Sequence, residues 1–305
     1  MAASLTAGCA RHGPGGDGRT PRPTATTGPG GQAGAGSVLA VKIDNVPAAR
    51  PQTGLDAADV VYAEQVEGGL SRLMAVYATK LPVVVGPVRS ARESDLELLR
   101  QFDRPVLAFS GAQRKLLPLI DRAPLIAGSP AHAPEAYFRG SDRPAPHNLC
   151  LRPARLLSAA PGRAALTTGF RYGPPPSGGT PTASRTVRYP SARFTFTWSA
   201  ERARWLVSTD GTPSVTSAGK RVAPATVVVQ YVKVRTSAYH DALGNNSPYT
   251  QTVGSGKAEV LRDGRSFDAT WSRPDATRGT TFATAGGGPL DFAAGQVWVV
   301  FTGAP

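Results

Sequence analysis

Residues Asp59–Arg92 read DVVYAEQVEGGLSRLMAVYATKLPVVVGPVRSAR. Two apolar runs, VVYAEQV and LSRLMAVYA, flank Glu67-Gly68-Gly69. Alternating runs on either side of a glycine pair predict a β-hairpin. Strand side chains alternate between faces, so Tyr62, Glu64 and Val66 share one side and Val61, Ala63 and Gln65 the other. On the second run Arg72 and Met74 oppose Leu73 and Ala75. Glu64, Glu67 and Arg72 are therefore expected together near one end of the hairpin. A third run, Pro82 to Val85, ends in Gly86-Pro87 and delivers Arg89 and Arg92. Acidic and basic side chains beside three strand ends mark the expected site.

Around this stretch, composition sets the limits. A chain of 305 residues can hold two domains with cores of their own. Hydrophobic content of 41% against 18% charged argues for a folded chain. The net charge of +13 attracts polyanions such as nucleic acid, anionic lipid or wall polymer. No Lys/Arg run exceeds two residues, however, and aromatics are not interleaved with the basic residues, so nucleic acid is not the expected partner. Two cysteines, Cys9 and Cys150, do not make a disulfide framework. No apolar stretch reaches the ~18 residues of a membrane-spanning helix.

The chain divides by texture. Leu5-Thr6-Ala7-Gly8-Cys9 resembles a bacterial lipobox, with Cys9 as the lipidated residue. A polar Gly/Pro/Thr tether follows, and residues 1–37 are read as lipobox and tether. Residues 38–169 are read as an α/β domain. Its first strand, Val38 to Ile43, ends in Asp44-Asn45 and a loop carrying Arg50. Polar residues leaving a strand end are where α/β sheets place binding groups. Ser90-Ala91-Arg92-Glu93 fits a capping box that opens a helix, Glu93 to Phe102. Backbone N–H groups at that start, with Arg89, Ser90 and Arg92, are candidates for holding an anion. Further on come a strand at Pro105–Ser110, a short helix at Gln113–Leu117 and a proline-rich loop region. That region contains Ala145-Pro146-His147-Asn148-Leu149, and His147 is a candidate acid or base. Arg152 to Ala160 reads as a last helix.

Residues 170–190 are a Gly/Pro/Ser/Thr-rich linker. Residues 191–305 then read as a smaller β-rich domain. Phe194, Phe196 and Trp198 alternate, as do Trp205 and Val207, around a turn. Thr226–Arg235 is a strong strand, with partners at Lys257–Leu261, Phe267–Trp271, Thr280–Ala283 and Gln296–Phe301. Tyr239-His240-Asp241 is an isolated polar cluster without the further His or Cys a metal site needs. The expected fold class is thus an α+β or mixed α/β N-terminal domain followed by a smaller, β-rich C-terminal one.

Several strings resemble one family, the YerB-like bacterial lipoproteins of undetermined function. They include Ile43-Asp44-Asn45, Arg50-Pro51-Gln52-Thr53-Gly54, Val66-Glu67-Gly68-Gly69-Leu70-Ser71-Arg72 and Gly86-Pro87-Val88-Arg89-Ser90-Ala91-Arg92. Ala145-Pro146-His147-Asn148-Leu149 and Gly295-Gln296-Val297-Trp298 add to them, and the match runs through nearly everything from Val38 on. The resemblance implies anchoring at the outer face of the cytoplasmic membrane. It implies no particular reaction.

Two functions fit the residues. In the first, an envelope lipoprotein grips an anionic wall-polymer or peptide group, or an envelope protein, through Arg72, Arg89 and Arg92. Asp44, Asn45, Arg50, Ser90 and Asn148 would add contacts. Arg suits this because its planar fork matches carboxylate and phosphate. In the second, a wall-glycan hydrolase or lyase uses Glu67 or Glu64 as acid, with Asp44 or His147 as partner. No nucleophile elbow, P-loop, zinc motif or dinucleotide fingerprint is present, so no cofactor or metal is expected.

Overall fold

Eleven strands among the described residues join in one mixed sheet. They are Leu39–Asp44 (β1), Val60–Gln65 (β2), Ser71–Tyr77 (β3), Val106–Ala108 (β4) and Ile126–Gly128 (β5), followed by the short Thr180–Pro181 (β6). The later ones are Thr226–Tyr231 (β7), Gly254–Arg262 (β8), Arg265–Arg273 (β9), Thr281–Thr284 (β10) and Val297–Thr302 (β11). The computed structural model describes residues 36–241 and 244–304. Cys9 and the tether before residue 36 lie outside the described residues.

Across the sheet the order is β10-β9-β8-β7-β11-β2-β3-β1-β4-β5, with β6 beside β9. The β1–β4, β4–β5, β2–β11 and β7–β11 pairs are parallel. The remaining pairs are antiparallel. The sheet therefore takes β1–β5 from the first half of the chain and β7–β11 from the second.

The expected mixed α/β N-terminal domain is not what forms. The chain is sheet-rich throughout. Among the described residues there are two α-helices, Glu93–Leu99 (α1) and Leu117–Arg122 (α2), of seven and six residues. They lie in the β3–β4 and β4–β5 crossovers. The stretch Arg152–Ala160 makes a single 3-10 turn, Pro153–Arg155. The reason lies in the prolines at 118, 124, 130, 134, 144, 146 and 153. Each removes a backbone donor and fixes φ, so the chain returns in short turns and loops. Nor does Pro82–Val85 make a ladder strand, because only Val85 and Gly86 bridge, to Leu151 and Thr53.

Both faces of the sheet are covered, which explains why runs such as TVVVQY and VWVVFT are apolar almost end to end. Val61, Ala63, Val227, Val229, Trp298 and Val300 point to one side. There they meet a four-stranded sheet, Thr212–Pro213, Arg204–Thr209, Ala192–Ser199 and Ser184–Tyr189 in spatial order. Phe194 and Phe196 stand edge-on to Trp298, with ring centres 6.0 and 5.9 Å away. Burying a ring of this kind contributes roughly 1.5–3 kcal/mol. On the other side Val60, Tyr62, Met74, Val76, Val228 and Phe301 pack against Leu98 and Leu99 of α1 and against Phe102. A two-stranded arm, Val234–His240 with Asn246–Thr250, reaches over α1. It is held by Tyr249 Oη donating to Glu97 at 2.8 Å and by the Thr252 N–H donating to Glu97 at 2.7 Å.

Candidate functional site

The hairpin β2–β3 forms as expected, and its tip is a 3-10 turn, Glu67–Gly69. Gly69 sits at φ +71°, where a Cβ would fall 2.5 Å from the Cβ of Pro190. Only glycine lets the tip lie this close to the neighbouring chain. Alternation places Lys42 and Asp44 of β1, Glu64 of β2 and Arg72 of β3 on the α1 face of the sheet. Register puts Arg72 directly between Asp44 and Glu64 on its two neighbouring strands.

Neither carboxylate turns to Arg72. Glu64 accepts from Lys42 Nζ and, at 3.0 Å, from Ser94 Oγ. Lys42 Nζ also donates to Asp95 at 2.6 Å. Burial pushes the Asp95 carboxyl up to about 6, the Lys42 charge pulling against it. Asp44 accepts from His147 Nδ1 at 2.9 Å. Because a carboxylate only accepts, Nδ1 carries the proton and Nε2 is the free nitrogen. Arg89 Nε lies 3.1 Å from the same Asp44 oxygen, close enough for an ion pair but without hydrogen-bond alignment. The other oxygen, Asp44 Oδ1, is buried and has no partner.

Glu67 and Arg92 form a two-pronged pair, Nε to Oε1 and Nη2 to Oε2, both 2.6 Å. Ser247 Oγ, from the arm, donates to Glu67 as well. Burial alone would raise the Glu67 carboxyl; the hydrogen bonds and charge of Arg92, with Ser247, outweigh it and hold the group below the ordinary carboxylate value. The remaining Arg92 nitrogen, Nη1, donates to the carbonyls of Ser90 and Ala91 at 3.2 and 3.1 Å. Arg92 is thus fully engaged.

Arg72 is the opposite. It is 6% exposed, and its Nε and Nη1 are buried without a hydrogen-bond partner. Burial first, and then the nearby Arg92 charge, pushes its guanidinium down to about 10. It lines a cleft of about 770 Å³ together with Glu67, Arg89, Ser90, Arg92 and His147. That volume is in the range of small-molecule sites.

The cleft gathers six of the candidate residues, Glu67, Arg72, Arg89, Ser90, Arg92 and His147. Asp44 and Glu64 lie buried and do not line it. Asn45, Arg50 and Asn148 hold loops instead. Asn45 Nδ2 donates to Ser71 Oγ at 2.8 Å, Arg50 pairs with Asp210 at 2.6 Å, and Asn148 Nδ2 donates to the Gly140 carbonyl at 2.9 Å. The expected cap also moves. Asp95, not Glu93, accepts the N–H of the capping residue, Arg92, at 2.7 Å.

Sequence reasoning missed Lys42, Ser94, Asp95, Arg114 and Ser247. Lys42 was the one with a visible signal, a charge inside the apolar run LAVKID. The cluster Tyr239-His240-Asp241 reaches the cleft from the second half of the chain, which no local pattern announces. Among the described residues no group of three His, Cys, Asp or Glu side chains is placed to hold a metal.

Comparison with known proteins agrees with the resemblance. Residues 24–167 match the N-terminal domain of the "Protein of unknown function (DUF3048)" family, and residues 185–299 match its C-terminal domain. A Bacillus subtilis (strain 168) protein named "Putative lipoprotein YerB" is 46% identical over 65 residues, 21% of this chain and 20% of that protein's length. The crystal structure of YerB protein from Bacillus subtilis superposes with a TM-score of 0.72 at 20% identity, covering 87% of this chain and 90% of the other. At that identity the likeness is one of fold. With both family domains matched in order along it, the chain belongs to the DUF3048 family, that of the YerB-like proteins.

Proposed function

We propose that this protein is a lipoprotein of the bacterial envelope, tethered through Cys9, that binds an anionic group in the Arg72 cleft. The group would belong to a wall polymer, a peptide or an envelope protein. The observation that carries the reading is Arg72 itself. A buried guanidinium with unmade hydrogen bonds is costly unless a partner arrives. An anion in the cleft would supply that partner. Lipid tethering rests on the lipobox-like Leu5–Cys9 and on the name of the Bacillus relative.

The glycan-hydrolase alternative is supported less well. A general acid needs a raised pKa, whereas Glu67 is held low by Arg92. Glu64 is buried against Lys42 and does not face the cleft.

Incubating the purified protein with isolated wall material tests both readings. Binding that is retained without soluble fragments, and lost in Arg72→Gln, is the expected result. Release of fragments that stops in Glu67→Gln would overturn it in favour of hydrolysis. For the tether, Cys9→Ala is expected to move the protein from the membrane fraction to the soluble one.

A further inference from the structure

The donors around the cleft are more numerous than a carboxylate can use. A carboxylate has two oxygens in one plane, and one guanidinium fork satisfies both. Arg92 is spent on Glu67, Ser90 and Ala91, but three other groups are not spent. Arg72 has no hydrogen-bond partner for Nε or Nη1. Arg89 commits only Nε, to Asp44, leaving its two terminal nitrogens. His147 commits Nδ1 to Asp44 and keeps Nε2. All three side chains line the same cleft, and the Ser90 side chain lies on the same loop.

Asp44 is the common hinge of this set. It is completely buried, and a single oxygen faces both Arg89 and His147. It orients two cleft residues while meeting no ligand itself, since it does not line the cleft. The rest of the wall is mixed, with Glu93 and Asp241 adding negative charge and Gln113, Tyr239, His240 and Ser247 adding polar groups. Val46, Val66, Leu70, Ala112 and Leu116 give it an apolar stretch, and Arg114 adds a further charge.

Resting on the anion-binding reading above, we propose that the cleft selects a phosphate ester over a carboxylate. The phosphoryl oxygens would be shared between Arg72 and Arg89, a phosphoryl O–H would donate to the free Nε2 of His147, and the ester's organic part would lie along the apolar wall. A tetrahedral phosphoryl group presents up to three terminal oxygens, which suits two guanidinium donors, from β3 and the loop after Gly86-Pro87, and one acceptor nitrogen from the loop before Leu149 that can take a P–OH proton. A soluble phosphate monoester presents three such oxygens, and the phosphodiester of a wall polymer or lipid headgroup presents two on the same tetrahedral centre.

Calorimetric titration of the full chain at constant ionic strength separates the cases. The probes are glycerol 3-phosphate as monoester, glycerophosphoethanolamine as diester, and succinate and acetate as carboxylates. At least one phosphate ester is expected to bind tenfold or more tightly than either carboxylate. The ratio of monoester to diester identifies the source. Arg72→Lys keeps the charge but loses the fork, and is expected to weaken that binding tenfold or more. His147→Phe is expected to weaken it severalfold while leaving carboxylate binding unchanged. A carboxylate that binds as tightly as the esters overturns the selection for phosphate and leaves the anion site standing. Absence of binding by every probe overturns both. Far-ultraviolet circular dichroism and the thermal midpoint of each variant show that it is folded.

Discussion

Two buried arginines of this protein sit in comparable darkness and lead different lives. Arg273, at the end of β9, is 0% exposed, and Arg72, at the start of β3, is 6% exposed. Arg273 uses every nitrogen. Nε donates to the Arg278 carbonyl at 2.9 Å and Nη1 to Thr252 Oγ1 at 2.7 Å. Nη2 donates to the carbonyls of Glu97, Leu98 and Ala276 at 2.9, 3.2 and 2.7 Å. The carbonyls of Glu97 and Leu98 close the C-terminal end of α1, which a helix leaves without internal partners. Arg273 is therefore a rivet between β9, the arm and the helix. Arg72 lies among charged neighbours and has no hydrogen-bond partner at Nε or Nη1. A satisfied buried guanidinium serves the fold; the unsatisfied one at the cleft is what the proposed anion site rests on.

The largest test of this contrast is Arg273→Met. It strands several buried carbonyls, and a loss of about 3 kcal/mol or more is expected in urea denaturation. Glu67→Gln breaks one prong of a charge-assisted pair and weakens the Ser247 contact, so about 2 kcal/mol is expected by the same measurement. The smallest effect belongs to Arg72→Met, expected to shift stability by no more than about 1 kcal/mol in either direction. If Arg72→Met were as damaging as Arg273→Met, the distinction between rivet and ligand group would fail.

Acid sharpens the comparison further. Glu67 has a lowered folded pKa, so its stabilisation is complete above the ordinary value of 4.5 and drains as pH falls through the folded value. Asp95 has the opposite sign. Burial raises it from 3.8 to about 6, so the folded chain takes up its proton first and gains stability as pH falls across that window. Urea midpoints at about pH 7, 5 and 3.5 should show this. The advantage of the wild type over Glu67→Gln is expected to hold from 7 to 5 and shrink below. Its advantage over Asp95→Asn is expected to grow between 7 and 5.

Much of the sheet is legible locally. Alternation around Glu67-Gly68-Gly69 identifies β2 and β3, and the runs at Thr226 and Val297 identify β7 and β11. Of the helices, α1 is legible from its start at Glu93, though it stops at Leu99 rather than Phe102; the later ones are not, because Leu, Ala and Arg favour helix while the interspersed prolines forbid its propagation. At Arg152–Ala160 the propensity lost to Pro153 and Pro161. The site is half legible. Strand register brings Glu64 beside Arg72, and the GPVRSAR loop supplies Arg89 and Arg92, all within a few dozen residues. The arm that places Ser247 on Glu67 is separated from it by 180 positions, and only the closed sheet brings them together. Asn45, Arg50 and Asn148 lie outside the cleft, because polar residues at strand ends also tie loops down.

The position of β11 has a consequence for how the molecule is made. Among the described residues it is the last strand in sequence, yet it lies between β2 and β7. Until residues 297–302 have left the ribosome, the early strands and the later ones have no shared neighbour. Each side keeps a raw hydrogen-bonding edge exposed to other chains. Closure requires contacts between positions more than 200 apart, such as Val60 with Val297, and such long loops slow folding. A nascent chain of this protein is thus expected to need shelter until its final strand arrives, and a premature stop codon shortly before Val297 to yield aggregates.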